Sequence, residues 1–198
     1  MSKHGHELSA EDEALVSQVF EFLKTHVHAN PYGWDGAFAE EIWHLPPGLR
    51  AMAATHHLDV SLTLDDIGWH FLNFGHPSHV NETELGLREL GLPDVADMFR
   101  EAYALVGPHL PEIRRPGGDY YAVIEQAGYA KRIDELSSQA RTSLGDQGIY
   151  RHWAAYARHH PERVFNAEPN AAPNGGPATQ LGNSAITEGP PSVSVRPY

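Results

Sequence analysis

The feature that most limits the fold of this chain is its punctuation. Capping residues, prolines and glycines recur at short intervals, and the apolar residues between them repeat with helical spacing rather than alternating. Ser9 with Asp12 forms the first capping pattern, and Leu15, Val19, Phe22 and His26 then share a face widened by Phe20 and Leu23. "NPYGWDG" (30–36) interrupts, and a short helix through Phe38, Ile42 and Trp43 is expected to stop at Pro46 and Pro47. Residues 48–60 place Leu49, Met52, Ala53 and His56 on one side. Thr63 with Asp66 predicts the next start, ended by Gly75 and Pro77, on a stripe of Leu64, Ile67, Phe71 and Phe74 beside Gly68 and Leu72. Asn81 with Glu84 opens a helix carrying Leu85, Leu87 and Leu90 that stops at Gly91. Pro93 suits the first position of another, with Val95, Ala96, Phe99, Tyr103 and Val106.

After the broken connection "PHLPEIRRPGG", helices are expected over Tyr120–Gln126, Ala130–Ala140 and Gln147–His159. No internal repeat and no alternating strand interrupts the series. The expected fold is all-α: an irregular multi-helix single domain over 1–166. From 167 to 198, ten of 32 residues are Pro or Gly and apolar residues have no period. Such a segment buries too little surface to offset its ordering entropy, so a disordered tail is expected there.

A chain of 198 residues is long enough for one substantial core. It has no cysteine, which excludes disulfides, thiolate catalysis and Cys-ligated zinc. The first residues lack a basic stretch followed by an apolar one, and no apolar run approaches membrane-spanning length. A cytoplasmic protein is expected. The formal net charge is −12, unevenly placed: residues 1–100 hold 16 Asp and Glu against 5 Lys and Arg, the remainder 10 against 9. This field disfavours direct contact with nucleic acid or anionic membranes and favours basic partners, although acidity alone also serves solubility.

The richest stretch chemically is "DDIGWHFLNFGHPSHVNETE" (65–84). His70, His76 and His79, with His56, His57, Asp65 and Asp66, contain ligand types that suit zinc, nickel or iron. Their H-x5-H-x2-H spacing differs from the two-histidine helical face of H-E-x-x-H, and a helix end intervenes at Pro77. Fourteen histidines make chance clusters expected. The better reading of Asp65 and Asp66 is a first turn favoured by the helix dipole, and of Gly68 a close packing contact. Neither G-x-S-x-G nor G-x-x-x-x-G-K-[ST] occurs, "RPGGDYY" (115–121) reads as a turn, and Trp153 marks a packed terminal helix. No cofactor, metal or catalytic residue is assigned, and a non-enzyme is favoured.

From Leu45 the chain runs "LPPGLRAMAATHH", then "DIGWHFLNFG", then "LRELGLPDVADMFREAYAL". This resembles a helical bacterial family of unknown function whose best-known type is an acidic DNA-mimic protein. Leu45, Pro46 and Arg50 match its first element; Gly68, Trp69 and Phe71 stand in its glycine-aromatic core; the last segment fits its final helices. The likeness covers about residues 45–106 and implies the helical fold. Asp66–Ile67 replaces an asparagine–glycine pair, and no functional residue carries over by position. DNA mimicry in such a family implies surface acids that face a basic, DNA-binding partner.

The expected partner surface is the helical stripe of Asp94, Asp97 and Glu101, joined by Glu82, Glu89, Glu40 and Glu41. A solvated helix face is the competing reading of the same residues. DNA presents one charge per ~1.7 Å of axis, so a mimic must pool acids from several elements. The leading function is an acidic helical protein that binds a basic or DNA-binding protein. The alternatives are an immunity- or antitoxin-type protein that blocks a toxin, and a His/Asp metal-dependent hydrolase. Oligomeric state is not legible.

Overall fold

The structure, a computed structural model, describes residues 8–166, and every regular element among them is helical. The expected tail, 167–198, lies outside the described residues. The helices are α1 (Ala10–His26), α2 (Ala37–Trp43), α3 (Pro47–Leu64), α4 (Ile67–Phe74), α5 (Pro77–Glu89), α6 (Pro93–Val106), α7 (Leu110–Ile113), α8 (Tyr120–Gln126), α9 (Ala130–Leu144), α10 (Tyr150–His159) and α11 (Glu162–Phe165). A single 3-10 turn, Gly107–His109, joins α6 to α7, where the sequence predicts only a broken connection. Among the described residues no helix is long and apolar enough to cross a membrane.

Central helix α3 touches α1, α2, α4, α5, α10 and α11. It has the composition for that position: Leu49, Ala51, Met52, Ala53, Ala54, Leu58 and Leu62 are all buried, so its neighbours surround it. Small side chains bring α5 close. A methyl on Gly86 of α5 would stand 3.0 Å from the Ala51 carbonyl oxygen. Helix α6 packs on α5, α9 packs on α6, and α4 bridges α3, α6 and α9. Phe71 of α4 and Phe99 of α6 meet in this layer with ring centroids 5.0 Å apart and no exposure.

Buried polar groups are committed to joining helices. Trp153 of α10 donates its indole N–H to Thr55 Oγ1 (3.1 Å), and Thr83 of α5 donates to the Ala54 carbonyl (3.0 Å). Ser137 of α9 accepts from the Ile67 N–H (3.0 Å), satisfying a donor at the start of α4 that has no intrahelical partner.

Several helix ends follow the sequence signals directly. Ser9 accepts from the Asp12 N–H (3.2 Å) at the start of α1, and Pro93 is the first residue of α6. Gly91, at φ 76°, closes α5: its N–H reaches the Arg88 carbonyl and the Leu92 N–H reaches the Leu87 carbonyl.

Elsewhere the boundaries shift. Pro47 and Pro77 open α3 and α5 as first residues, because a helix needs no N–H donor there. Asn81 therefore lies inside α5 rather than capping it. Asp66, not Thr63, caps α4; Thr63 still belongs to α3 and donates to the Asp59 carbonyl (2.9 Å). Leu64, placed by periodicity on the α4 stripe, ends α3 and is 70% exposed. Helix α9 runs one turn past Ala140, to Leu144.

Candidate acidic partner site

The seven carboxylates expected on the partner surface have different surroundings. Asp94, Asp97 and Glu101 do share the exposed face of α6. Asp97 Oδ1 accepts from Arg88 Nη2 (2.7 Å) and Arg100 Nη2 (2.9 Å), and both arginines also reach Glu84 Oε1. Glu101 accepts from Nε and Nη2 of Arg132, at 2.7 and 2.9 Å. The Arg88 and Arg132 hydrogen bonds hold the Asp97 and Glu101 carboxyls below their ordinary range. Glu89 accepts from Arg163 (2.6 Å) and the Tyr156 hydroxyl.

Glu82 does not reach the stripe. It is 6% exposed and forms a two-pronged pair with Arg50, one branch at 2.6 Å. The arginine of the family-like "LPPGLR" segment thus ties α3 to α5. Glu41 accepts from the N–H groups of His28 (2.8 Å) and Ala29 (2.6 Å), pinning the loop after α1. Among the described residues, Asp94 and Glu40 remain exposed without an ion pair.

A second acidic region lies outside the expected partner stripe. Asp65 ends α3 and Asp66 caps α4, so the acidic pair sits in the corner between two helices rather than in one first turn. Asp66 Oδ1 accepts from the Trp69 N–H (2.6 Å) and the Tyr120 hydroxyl (2.8 Å). Asp65 accepts from the Tyr121 hydroxyl. Gly68 makes room for this: a Cβ there would stand 2.2 Å from the Tyr120 hydroxyl oxygen. These groups, with Glu125 of α8 and Asp134 of α9, line a cavity of about 550 Å³ whose apolar floor includes Ile124 and Ile133.

Negative charge in this cavity is in excess. Four carboxylates line it against one arginine, Arg141. That guanidinium is spent on backbone: Nε donates to the Leu62 carbonyl (2.8 Å) and Nη2 to the Asp65 carbonyl. It clamps the C-terminal end of α3, where a cation complements the helix dipole. Among the described residues, none of the four carboxylates forms an ion pair. Burial pushes the Asp66 carboxyl up, against the opposing pull of the Trp69 N–H and the Tyr120 hydroxyl. The hydrogen bond to Asp65 pushes the Tyr121 phenol up to about 12, and burial raises Tyr120 further. Both phenols therefore stay neutral donors at physiological pH. The cavity offers acceptors and aromatic rings, a combination that complements guanidinium or ammonium groups.

The three histidines of residues 65–84 do not share one environment. His70 and His79 are buried, with ring centroids 6.4 Å apart, while His76 stays half-buried, its Nδ1 2.7 Å from the Ser78 hydroxyl. Among the described residues no group of three or more His, Asp or Glu is arranged to hold a metal ion.

The sequence profile of DMP19-like proteins matches residues 44–160. The chain belongs to the DMP19-like protein family. The match includes the segment whose family likeness is legible by eye, and extends through α8, α9 and α10 to include both walls of the acidic cavity. No curated protein and no solved structure shows significant similarity to the chain.

Proposed function

We propose that this DMP19-like protein is a non-enzymatic acidic binding protein that engages a basic, DNA-binding protein by charge complementarity. One observation carries the reading: four carboxylates from the α3 C-cap, the α4 cap, α8 and α9 are gathered in one cavity beside a single arginine, and none of them is in an ion pair among the described residues. Pooling acids from several elements is what imitation of a phosphate backbone requires, because acids on one helix are a full turn, about 5.4 Å, apart. Membership of the family supports the same direction. Asp94 and Glu40 are exposed and, among the described residues, outside any ion pair, whereas Asp97 and Glu101 contribute less, since a partner's cation must first displace an arginine.

The test uses the full chain as bait in the host's lysate, with double-stranded DNA as competitor. The expected result is recovery of a DNA-binding protein that DNA displaces. The variant Glu125→Gln/Asp134→Asn, which keeps shape and removes two charges, is expected to lower recovery about tenfold. Recovery of a protein that does not bind DNA, unaffected by DNA or by this variant, overturns the proposal.

One further observation favours the immunity-type reading as the second choice. Trp43 (41% exposed) and Leu85 (48% exposed) both border Arg50, whose guanidinium lies 5.7 Å from the Trp43 ring centre. Exposed aromatic and arginine side chains are typical anchors of protein interfaces. A partner lost on Trp43→Ala but kept in the cavity variant would favour that reading.

A further inference from the structure

Three helices each send one imidazole into the same part of the core: His57 from α3, His70 from α4 and His79 from α5. Ring centroids are 5.8 Å apart for His57 and His79 and 6.4 Å for His70 and His79. The walls are phenyl rings. Phe74 lies 4.4 Å from His57 and 5.1 Å from His70, Phe38 lies 4.7 Å from His79, and Phe99 of α6 lies 5.4 Å from His70. Each imidazole has one buried nitrogen without a hydrogen-bond partner: His57 Nδ1, His70 Nε2 and His79 Nε2. The other nitrogen of His70, Nδ1, lies 3.1 Å from the Ser61 hydroxyl and 3.4 Å from the His57 carbonyl oxygen.

Buried polar atoms are normally paired, so three orphaned nitrogens in one cluster call for a physical explanation. An unprotonated ring nitrogen is a weak loss when orphaned; the same atom bearing a proton places a charge in an apolar cage with no acceptor. Among the described residues no carboxylate acts on these rings. The titratable or charged groups facing them are His56 on α3, His76 before α5, Tyr32 from the loop after α1, and Lys24 of α1 at the groove bordered by His56 and His57. Tyr150 of α10 reaches His56 alone (3.0 Å). Protonating any one ring therefore adds a cation beside other imidazoles, with no anion to receive it.

We propose that the His57–His70–His79 cluster is a proton-operated latch, whose protonation in mild acid separates α4 from α3 and α5. Helix α4 is short, with His70 in its middle and Asp66 as its cap, so its release also dismantles the Asp66–Tyr120 contact of the acidic cavity. Burial drives all three imidazoles down: His57 to about 3, His79 to about 4, and His70 well below its ordinary 6.5. These are depressed values, so the stability they confer is complete above about pH 6.5 and is lost as pH falls toward the folded-state values. The stripe carboxylates Asp97 and Glu101 titrate below their ordinary 3.8 and 4.5, outside the upper part of this window.

The test is urea unfolding of the full chain between pH 7.5 and 5.5, with His70→Phe as the variant. A phenyl ring fits the aromatic cage, and the Ser61 hydroxyl keeps its bond to the His57 carbonyl. The folding constant of the parent is expected to fall roughly tenfold more over this range than that of His70→Phe, the difference of one proton. Equal pH slopes in the two proteins overturn the latch. Ring-carbon NMR shifts of the parent test it without any variant. The three imidazoles should stay neutral until the folded signals disappear, and titration near 6.5 within the folded protein overturns the proposal.

Discussion

The two acidic regions of this molecule satisfy their carboxylates in opposite ways. Along α5 and α6, Glu82, Glu84, Glu89, Asp97 and Glu101 are met by arginines, so hydrogen bonding and charge are compensated together. At the corner of α3 and α4, Asp65 and Asp66 are met by phenols and a backbone N–H, which fill their lone pairs without cancelling charge. Both regions look alike in composition. Only the second leaves its carboxylates outside ion pairs among the described residues, which under the proposed function is the difference between an acidic surface that holds helices together and one that attracts a partner.

The comparison breaks first at Arg50. Arg50→Met strands the buried Glu82 carboxylate and is expected to cost about 3–5 kcal/mol in urea unfolding. Adding Glu82→Leu should recover most of it. A loss under about 1 kcal/mol would place this pair with ordinary surface ion pairs.

Gly68→Ala probes the other region. Its Cβ intrudes on the Tyr120 hydroxyl, and overpacking of this kind costs about 1–3 kcal/mol. Tyr120→Phe in that background should restore only part of the loss, since the ring carbon bearing the hydroxyl would still stand 3.2 Å from the new methyl. Full recovery would show that the hydroxyl alone sets the constraint.

Charge removal should then separate the regions by binding rather than by stability. Glu125→Gln/Asp134→Asn is expected to weaken an arginine-rich peptide about tenfold at ~0.1 M salt, where fields decay over ~10 Å. Asp97→Asn/Glu101→Gln removes as much charge from outside the cavity lining, where arginines already compensate it, and should change affinity less than about twofold. Equal effects, measured by titration calorimetry, would show that the peptide reads net charge and not the cavity. The smallest change is expected for Lys24→Ala, which removes an exposed pair with Glu21 and should leave Tm within about 2 °C by thermal scan.

Much of the architecture was legible because its causes are local. Ser9, Pro93 and Gly91 mark helix ends through their own hydrogen bonds and backbone angles, and Val95, Ala96 and Phe99 mark a buried face through spacing alone. The errors are also local in kind. Pro47 and Pro77 signal a stop or a start equally well, and Thr63 and Asp66 are both good caps, so the choice depended on which neighbour was in place. The candidate site was harder to see. "DD" and "GGDYY" are separately unremarkable, and neither the turn expected at the glycine pair nor the helix expected from Tyr120 reveals what the two tyrosines face.

Sequence by itself determined the all-helical class, most helix positions, the acidic balance and the family likeness, since propensity, period and charge reside in neighbouring residues. Tertiary structure alone decided which acids stay outside ion pairs and which histidines meet. Arg50 finds Glu82 from 32 positions away, Arg132 finds Glu101 from 31, and Tyr120 reaches Asp66 across 54. Charge compensation is a property of distance in space, falling with separation and screened by water, and such distances exist only once α3, α4 and α5 have packed.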